Sequence, residues 1–237
     1  MDDVYSYFKF RAVNKHLVEA LVNPSWYFSG PSQLNDPFDC QLNLERYLEK
    51  AASSVTGQAQ LTLKAFIDNA GVQKWKRKLS SVGVCAFSLD AMETLLWSHY
   101  ADQHKGVCLL YRIPESFLLN RSNKIIGVDK VTYGDERIMK YLADGATMEV
   151  NEFIKMYLTT KSPSWQYEVE ARIIREERGL LRIPGEFLEQ VCFGLRTEPA
   201  DMDLVTKLAR AYCGCSKFCR MVRDESNFGF TMVEELR

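Results

Sequence analysis

The residues from Tyr167 to Arg175 constrain the fold of this chain more than any other segment. Apolar and charged side chains alternate from Tyr167 to Ile173, and a period of two predicts a β-strand. One face of that strand carries Glu168, Glu170 and Arg172 in a single row. Because buried, unpaired charge costs several kcal/mol, this row is either an exposed Glu–Arg pair or the lining of a cleft that uses the charges.

The overall composition narrows the functional class. The 237 residues are 46% hydrophobic and have a net charge of −1, which gives no general attraction to nucleic acid or to anionic membranes, although a local basic groove is compatible with it. No apolar run is long enough to span a membrane, and the first twenty residues are too polar for a signal peptide. These features predict a soluble, cytoplasmic protein without a membrane partner.

The seven cysteines predict reduced, buried thiols. Their number is odd, and most of them fall in strand-like segments, as expected for a cytoplasmic protein. One group, Cys213, Cys215 and Cys219, has spacings that a zinc ion could use. It lacks a fourth ligand at a suitable spacing, and Cys219 falls inside a predicted strand. We therefore predict no metal site.

The order of strands and helices predicts the fold class. Hairpins outnumber crossovers, and helices are inserted between strands instead of alternating with them. This pattern favours an α+β fold with antiparallel or mixed sheets, with residues 1–237 in a single domain and a helical insertion over approximately residues 41–81. Strands are predicted over residues 4–10, 26–29, 83–89, 107–111, 124–133, 167–175, 180–183, 189–195, 217–223 and 228–233. The other helices are predicted over residues 16–22, 92–100, 135–160 and 201–212.

Several of these helices and hairpins have predicted caps and turns. Asn14, Asp90 and Asp201 are expected to cap helices, since their side chains accept hydrogen bonds from the first free amides. Gly179 is expected to allow a hairpin between the charged strand and the next one. A turn at Ser226-Asn227 is expected to close a terminal hairpin.

Two polar segments outside the charged strand are candidates for a site. The loop from Gly30 to Asp39 contains two prolines, Asn35 and Asp36, and is either a rigid structural corner or part of the site. His99 and Tyr100 lie on one predicted helix, where they could donate protons or stack on a ligand. For His99 we expect instead a buried role, bonded to backbone.

Several motifs together resemble the bacterial domain of unknown function 2971 family. They are Phe8-Lys9-Phe10-Arg11, Tyr27-Phe28-Ser29 with Pro31-Ser32, Asn35-Asp-Pro-Phe-Asp39, Trp97-Ser-His-Tyr-Ala-Asp102 with His104-Lys-Gly106, and Trp165-x-Tyr-Glu-x-Glu-x-Arg172. The resemblance runs from the first strand to the terminal hairpin. The family name implies no activity, and the chain contains neither a Walker loop nor the Gly-x-Gly-x-x-Gly or Gly-x-Ser-x-Gly motif.

The order of polar residues along the strands also resembles the ADP-ribosyltransferase fold. In that fold a first strand ends in a basic or His residue, a middle strand ends in Ser or Tyr, and a late strand carries Glu-x-Glu. Here the corresponding residues are Lys9 or Arg11, then Ser88, then Glu168-Val-Glu170. The first strand lacks the His or Arg-Gly pattern common in that fold, and Ser88 is not followed by Thr-Ser.

This second resemblance implies NAD as co-substrate and a role for each residue. Glu170 would stabilise the oxocarbenium-like state at the breaking glycosidic bond, and Glu168 would orient or deprotonate the acceptor. Lys9 and Arg11 lie on one strand face and would clamp the pyrophosphate. The remaining residues implied in cofactor binding are Tyr27, Ser29, Asn35, Asp36, Ser88, His99 and Tyr100, with Tyr27 or Tyr100 stacking on nicotinamide.

The leading hypothesis is an NAD-dependent ADP-ribosyltransferase that acts on an intracellular macromolecule: RNA, DNA or protein. Such a protein would be a bacterial toxin or a phage-defence effector, which leaves room for a neutralising antitoxin as a partner. One alternative is a non-catalytic nucleic-acid or peptide sensor that stacks ligands on Trp26, Tyr27, Trp97 and Trp165. Another is a metal-dependent nuclease or hydrolase with Asp36, Asp39, Glu168 and Glu170 around a divalent ion.

Overall fold

An eight-stranded sheet forms the centre of the computed structural model, which describes residues 2–40, 43–68, 71–144, 149–226 and 229–234. The strands are β1 Val4–Arg11, β2 Ser25–Phe28, β3 Gly83–Ser88, β4 Val107–Pro114, β5 Ile125–Lys130, β6 Thr132–Tyr133, β7 Thr160–Lys161, β8 Glu170–Arg175, β9 Gly179–Arg182, β10 Leu188–Phe193, β11 Lys217–Arg223 and β12 Phe230–Glu234. The helices are α1 Lys15–Val22, α2 Leu44–Ser54, α3 Gln58–Asp68, α4 Gly71–Ser81, α5 Thr94–Tyr100, α6 Glu115–Leu119, α7 Glu136–Asp144, α8 Val150–Leu158 and α9 Pro199–Leu208.

The topology of the main sheet is mixed and mostly antiparallel. Its strand order is β12-β11-β10-β4-β1-β3-β8-β5, and β10 and β11 are its one parallel pair among the described residues. Two further pairs, β2 with β9 and β6 with β7, form small separate sheets. The predicted α+β class with antiparallel or mixed sheets is therefore confirmed, and so is the helical character of the described residues between 43 and 81.

The two faces of the sheet pack into different apolar layers. On one, Trp26 lies edge-on to Phe87 and Tyr111, with ring centroids 5.3 and 5.4 Å apart. On the other, Trp75 of α4 lies edge-on to Tyr157 of α8 at 4.7 Å. Residues of β3 and β8 belong to the second cluster as well. The inserted helices are thus part of the packing that holds the central strands.

The charged strand is shorter than predicted. Pro163–Glu168 form a 3₁₀ helix that Ser162 caps, and β8 begins at Glu170. Val169 between them has a φ of +43°, in the left-handed region, where no strand continues. Its backbone is instead bonded to Gln166 and Leu89. The predicted common strand face for Glu168 and Glu170 is therefore wrong, because the chain turns between them.

The predicted hairpin at Gly179 is also wrong. Gly179 has a φ of +99° and does turn the chain, but β9 then leaves the main sheet and pairs with β2, with Tyr27 opposite Leu180. The local sequence determines that the chain turns at Gly179, but it does not determine which strand β9 pairs with. The place beside β8 is taken by β3 on one edge and β5 on the other.

Helix boundaries differ from the prediction at three points. The side chain of Asp90 bonds to the amide of Met92 before α5, while Glu93 caps that helix at Thr94. The N-cap of α9 is Glu198, since Pro199 begins that helix before Asp201. The predicted long helix over 135–160 is divided into α7 and α8, whereas the cap at Asn14 is confirmed.

Parts of some predictions lie outside the described residues. They are residues 41–42 and 69–70 in the helical insertion, residues 145–148 in the predicted long helix, and residues 227–228 in the terminal turn and strand. The pairing of β11 with β12 that this turn would close is observed and antiparallel.

Gly106, just before β4, provides a test of how closely the backbone there approaches β1. A Cβ atom at this position would lie 2.2 Å from the carbonyl oxygen of Arg11. We expect Gly106→Ala to lower the free energy of unfolding by about 2 kcal/mol and Tm by roughly 4–8 °C, because the backbone there must move. Gly229→Ala is the control, since nothing lies within 4 Å of its added Cβ. Equal melting temperatures for the two variants would contradict this view of the strand contact.

Candidate functional site

Three neighbouring strands bring the predicted site residues to one cavity. β1, β3 and β8 are adjacent, and Phe8, Ser88 and Glu170 lie side by side in the register. The cavity at this point has a volume of about 220 Å³. The predicted residues among those that line it are Lys9, Arg11, Asn35, Ser88, Tyr100, Glu168 and Glu170.

A buried network of ion pairs forms the floor of this cavity. Lys161 Nζ contacts carboxylate oxygens of both Glu168 and Glu170, the latter at 2.9 Å. The other oxygen of Glu170 accepts from Arg172 Nε at 2.6 Å. Arg172 also binds Asp39 through both terminal nitrogens, with Nη1 at 3.0 Å from Oδ1. Five charged side chains therefore meet in one connected group.

Burial decides between the two interpretations of the charged row. Glu168 and Glu170 are each 5% exposed and Arg172 is 1% exposed. An exposed Glu–Arg pair is therefore wrong, and the alternative, a cleft lined by the charges, is confirmed. The 3₁₀ helix before β8 still brings Glu168 close to Glu170, because Lys161 binds both.

Two members of the network, Lys161 and Asp39, were not predicted from the sequence as residues of this site. Lys161 was not identified as a site residue, although it lies just before the charged segment, in β7. Asp39 was considered for a metal site only, but it pairs with Arg172, 133 residues away. No local pattern marks either of them, because their partners are defined by contacts between distant parts of the chain.

Tyr100 extends the network to the loop before the helical insertion. Its hydroxyl donates to Glu168 Oε1 at 2.6 Å and accepts from Asn35 Nδ2 at 2.8 Å. Burial, and then the bond to Glu168, raise the pKa of Tyr100. Asn35, Tyr100 and Glu168 were predicted independently from three motifs, and the structure brings them together.

Lys9 and Arg11 form the basic wall of the cavity. Both side chains line it, as expected from their common strand face. Lys9 Nζ donates to the carbonyl oxygen of Ala86 at 2.6 Å and lies 4.7 Å from the ring centroid of Phe87. Burial lowers the pKa of Lys9, and the positive charge of Arg11 acts in the same direction.

Tyr27 and Ser29 line a second, adjoining cavity of about 150 Å³. Lys9 and Arg11 line both cavities, so the basic wall lies between the two.

The hydroxyl of Ser88 binds backbone groups. It donates to the carbonyl oxygen of Glu168 at 2.7 Å and accepts from the amide of Asp90 at 3.0 Å.

Two predicted residues, Asp36 and His99, line neither cavity. Asp36 accepts from the amide of Phe38 at 2.9 Å, so its carboxylate holds the loop in shape. His99 is exposed, which makes the expected buried role wrong. Its ring lies 6.2 Å from that of Tyr167, outside the residues that line the cavity.

Most of the aromatic side chains proposed to stack on a ligand are not exposed. Trp26 and Trp97 are 1% and 0% exposed, and Trp97 Nε1 is bonded to the carbonyl oxygen of Ala91. Trp165 packs against Lys161, whose Nζ lies 5.0 Å from the ring centroid. Among the four aromatic residues of the sensor hypothesis, Tyr27 is the exposed one, so they do not form a common platform.

The carboxylates of the metal hypothesis are arranged around cations of the protein. Asp39, Glu168 and Glu170 converge on Lys161, while Asp36 is turned into its own loop. In the described part of the chain no cluster of His, Cys, Asp and Glu has the arrangement of a metal site. Cys213 and Cys215 have their thiols bonded to the carbonyl oxygens of Leu21 and Glu189.

The network gives its two glutamates different acidities. Burial raises the pKa of Glu168, and the bonds from Lys161 and Tyr100 offset this only in part. Burial alone would also raise the pKa of Glu170, but Arg172 and Lys161 outweigh it and hold that pKa below its ordinary value. One carboxylate is thus suited to exchange a proton and the other to stay ionised.

Comparison with known proteins supports one of the two resemblances. Residues 96–173 match the model of a family described as Protein of unknown function (DUF2971), which confirms that resemblance over this part of the chain. The match includes Tyr100, Lys161, Glu168, Glu170 and Arg172. A search of curated proteins and a search of solved structures returned no match. None of the described helices is long and apolar enough to cross a membrane.

The buried guanidinium provides a first test of the site. We expect Arg172→Met to lower the free energy of unfolding by about 3–5 kcal/mol, because it leaves Asp39 and Glu170 buried without their main partner. The control is Lys207→Met, which removes an exposed pair with Asp203 and is expected to cost no more than about 1 kcal/mol. Denaturant unfolding measures both. Similar losses in the two variants would show that the network adds little to stability.

The raised pKa of Glu168 gives a second test. Its folded pKa lies above the ordinary 4.5, so between pH 4.5 and that pKa the native protein binds more protons than the unfolded chain. The contribution of Glu168 to stability therefore falls as pH rises through this window. Relative to wild type, the unfolding free energy of Glu168→Gln should increase as the pH rises from 4.5 to the folded pKa of Glu168. A difference between the two proteins that stays constant over this range would contradict a raised pKa.

Proposed function

We propose that the protein is an NAD-dependent ADP-ribosyltransferase whose reaction takes place over Glu168 and Glu170. One observation carries this proposal: two buried glutamates of different acidity lie at the floor of a cavity whose wall is basic. Transfer of ADP-ribose builds positive charge on a sugar and removes a proton from the acceptor. The ionised glutamate suits the first task, the glutamate with the raised pKa suits the second, and the basic wall suits the pyrophosphate.

The strand register supports the assignment. In the resemblance to the ADP-ribosyltransferase fold, a basic residue, a serine and a glutamate follow one another along the chain. Here Lys9, Ser88 and Glu170 lie on β1, β3 and β8, which are neighbours in the sheet. Ser88 lies opposite Glu170, and Phe8, next to Lys9, lies opposite Ser88. Residues that are about eighty positions apart along the chain are thus placed in one row across the sheet. Ser88 acts here by holding the carbonyl group of Glu168 in place.

Glu170 is the group that stabilises the developing positive charge. The bond between the ribose anomeric carbon and the nicotinamide nitrogen breaks, and its electron pair leaves with neutral nicotinamide. The sugar carbon becomes positively charged at that moment, and an ionised carboxylate beside it lowers the barrier. Arg172 and Lys161 keep Glu170 ionised and hold its orientation.

Glu168 is the base that serves the acceptor. As the acceptor atom bonds to the sugar carbon, it must release a proton, and a carboxylate whose pKa is raised towards neutrality takes it up well. Burial provides that shift at Glu168. The hydroxyl of Tyr100 and the ammonium group of Lys161 hold the two carboxylate oxygens in place.

The two adjoining cavities suit an elongated co-substrate with a negatively charged pyrophosphate at its centre. Each is smaller than the pockets of roughly 300–1,000 Å³ that enclose drug-sized ligands. A dinucleotide would therefore span both, with its pyrophosphate beside Lys9 and Arg11, which line both. Tyr27 in the second cavity would then stack on a base, and Tyr100 would lie on the side of the reacting sugar.

This activity also suggests a biological setting. An enzyme that transfers ADP-ribose to a macromolecule inside a bacterial cell depletes NAD and alters an essential component. We therefore propose a cytoplasmic toxin or phage-defence effector, for which a neutralising partner protein would be needed in the producing cell.

The experiment is a comparison of nicotinamide release and label transfer from NAD to RNA, DNA and protein fractions. We expect Glu170→Gln to reduce nicotinamide release by at least about a hundredfold, because the charge that opposes the sugar cation is lost. Glu168→Gln should reduce transfer to the acceptor more than nicotinamide release. Glu186→Gln, an exposed carboxylate outside the cavity, is the control for the loss of one negative charge.

Melting curves of all variants separate loss of activity from loss of folding. Wild-type protein that neither binds nor cleaves NAD with any of the three acceptor fractions would overturn the proposal. Equal activity of wild type and Glu170→Gln would overturn the role given to that carboxylate.

A further inference from the structure

One thiol of the chain lies against an amine. The Nζ atom of Lys9, on β1, is 3.5 Å from the Sγ atom of Cys85, on β3. Cys85 is a free cysteine, and among the described residues it is the one whose thiol is bonded to a lysine nitrogen. Other thiols contact oxygen atoms or a guanidinium group, and they belong to Cys40, Cys192, Cys213 and Cys215.

The end of the Lys9 side chain is held on β3. Besides its contact with Cys85, Nζ donates to the carbonyl oxygen of the next residue, Ala86, at 2.6 Å. β1 and β3 are neighbours in the sheet, but within the described ranges Phe8 with Ser88 is the one position at which they pair. The Lys9 side chain therefore crosses a gap between two strands, and it ends beside the sulfur atom.

A small oxidant can reach the pair through the second cavity of the site. Cys85 is 1% exposed, but it lines the cavity of about 150 Å³ together with Lys9. A water molecule takes up about 30 Å³ in the liquid, so the cavity has room for hydrogen peroxide beside the thiol. Larger reagents are excluded from it by size.

We propose that Lys9 and Cys85 form a covalent Sγ–O–Nζ bridge when the protein meets hydrogen peroxide. The sulfur first attacks one peroxide oxygen, the O–O bond breaks, and a sulfenic acid and water form. A second peroxide then takes two electrons and two hydrogens from the sulfenic acid and the amine, as the O–N bond forms, and becomes two waters. One thiol, one amine and two peroxides thus give the bridge and three waters.

The environment of Lys9 suits the second step. Burial lowers the pKa of Lys9, and the positive charge of Arg11 acts in the same direction. A larger share of this amine is therefore neutral near pH 7 than of an exposed lysine. The neutral amine has the electron pair that the O–N bond needs, and Nζ is already held beside the sulfur that carries the oxygen.

The bridge alters the basic wall of the candidate site. It removes the positive charge of Lys9 from its place between the two cavities, and it ties β1 to β3. Since the pyrophosphate of NAD is placed beside Lys9 and Arg11, we expect the bridged protein to bind NAD about tenfold more weakly. This consequence rests on the proposed function, while the bridge itself does not.

Peptide mapping by mass spectrometry after peroxide treatment tests the bridge. In wild type we expect the peptides of Lys9 and Cys85 to be linked, at about 14 Da above their summed masses, because the bridge adds one oxygen and removes two hydrogens. An excess of a dithiol should separate them again. Cys85→Ser and Lys9→Gln should each give no link. Cys215→Ser is the control that keeps it, since that thiol contacts the carbonyl oxygens of Glu189 and Lys217.

Two results would overturn the bridge. One is Cys85 that stays reduced, or that becomes a sulfenic or sulfinic acid without a link to Lys9. The other is an equal yield of linked peptide from protein unfolded in guanidinium, since the folded contact would then not be needed.

NAD binding is measured separately by calorimetry on oxidised wild type and oxidised Cys85→Ser. Weaker binding in wild type alone supports the consequence for the site, and equal binding in both overturns that consequence. A bridge that forms in protein without affinity for NAD contradicts the transferase and not the bridge.

Discussion

The structure depends on one interaction, the buried guanidinium of Arg172. Its donors reach Glu170 on the same strand, Asp39 in the loop after β2, and the carbonyl oxygen of Leu158 at the end of α8. An ion taken out of water at this depth must find all its partners, or it costs several kcal/mol. The position of β8 therefore fixes the loop and the end of α8 as well. A few ångströms of displacement at any of them would leave a buried charge unpaired.

The same network creates the chemical asymmetry of the site. Three carboxylates share two cations, Lys161 and Arg172, and the cations are not evenly placed. Glu170 is bonded by both and stays ionised, whereas Glu168 receives one cation and one hydroxyl and becomes a weaker acid. A pair of glutamates two residues apart thus acquires two acidities. The difference comes from the surrounding charges and not from the residues themselves.

Helix α5 places Tyr100 in the candidate site. The hydroxyl of Tyr100, at the end of the helix, donates to Glu168. One turn earlier, Trp97 is fully buried against Phe10 and His104, which anchors the helix on the sheet. This anchoring holds the Tyr100 hydroxyl at a fixed position beside Glu168.

The sequence by itself determined the strand and helix periods, the α+β class, and the row that places Lys9 and Arg11 on one side of β1. It also reduced the charged segment to two alternatives, an exposed face or a cleft. Tertiary structure alone decided between them. It placed Lys161 and Asp39 against Glu170 and Arg172, turned the chain at Val169 so that Glu168 joins from outside the strand, and sent β9 to β2 instead of β8. The physical reason is that periodicity and turns are encoded by neighbouring residues, whereas the partner of a buried charge or of a strand edge is selected by contacts between residues far apart in the chain.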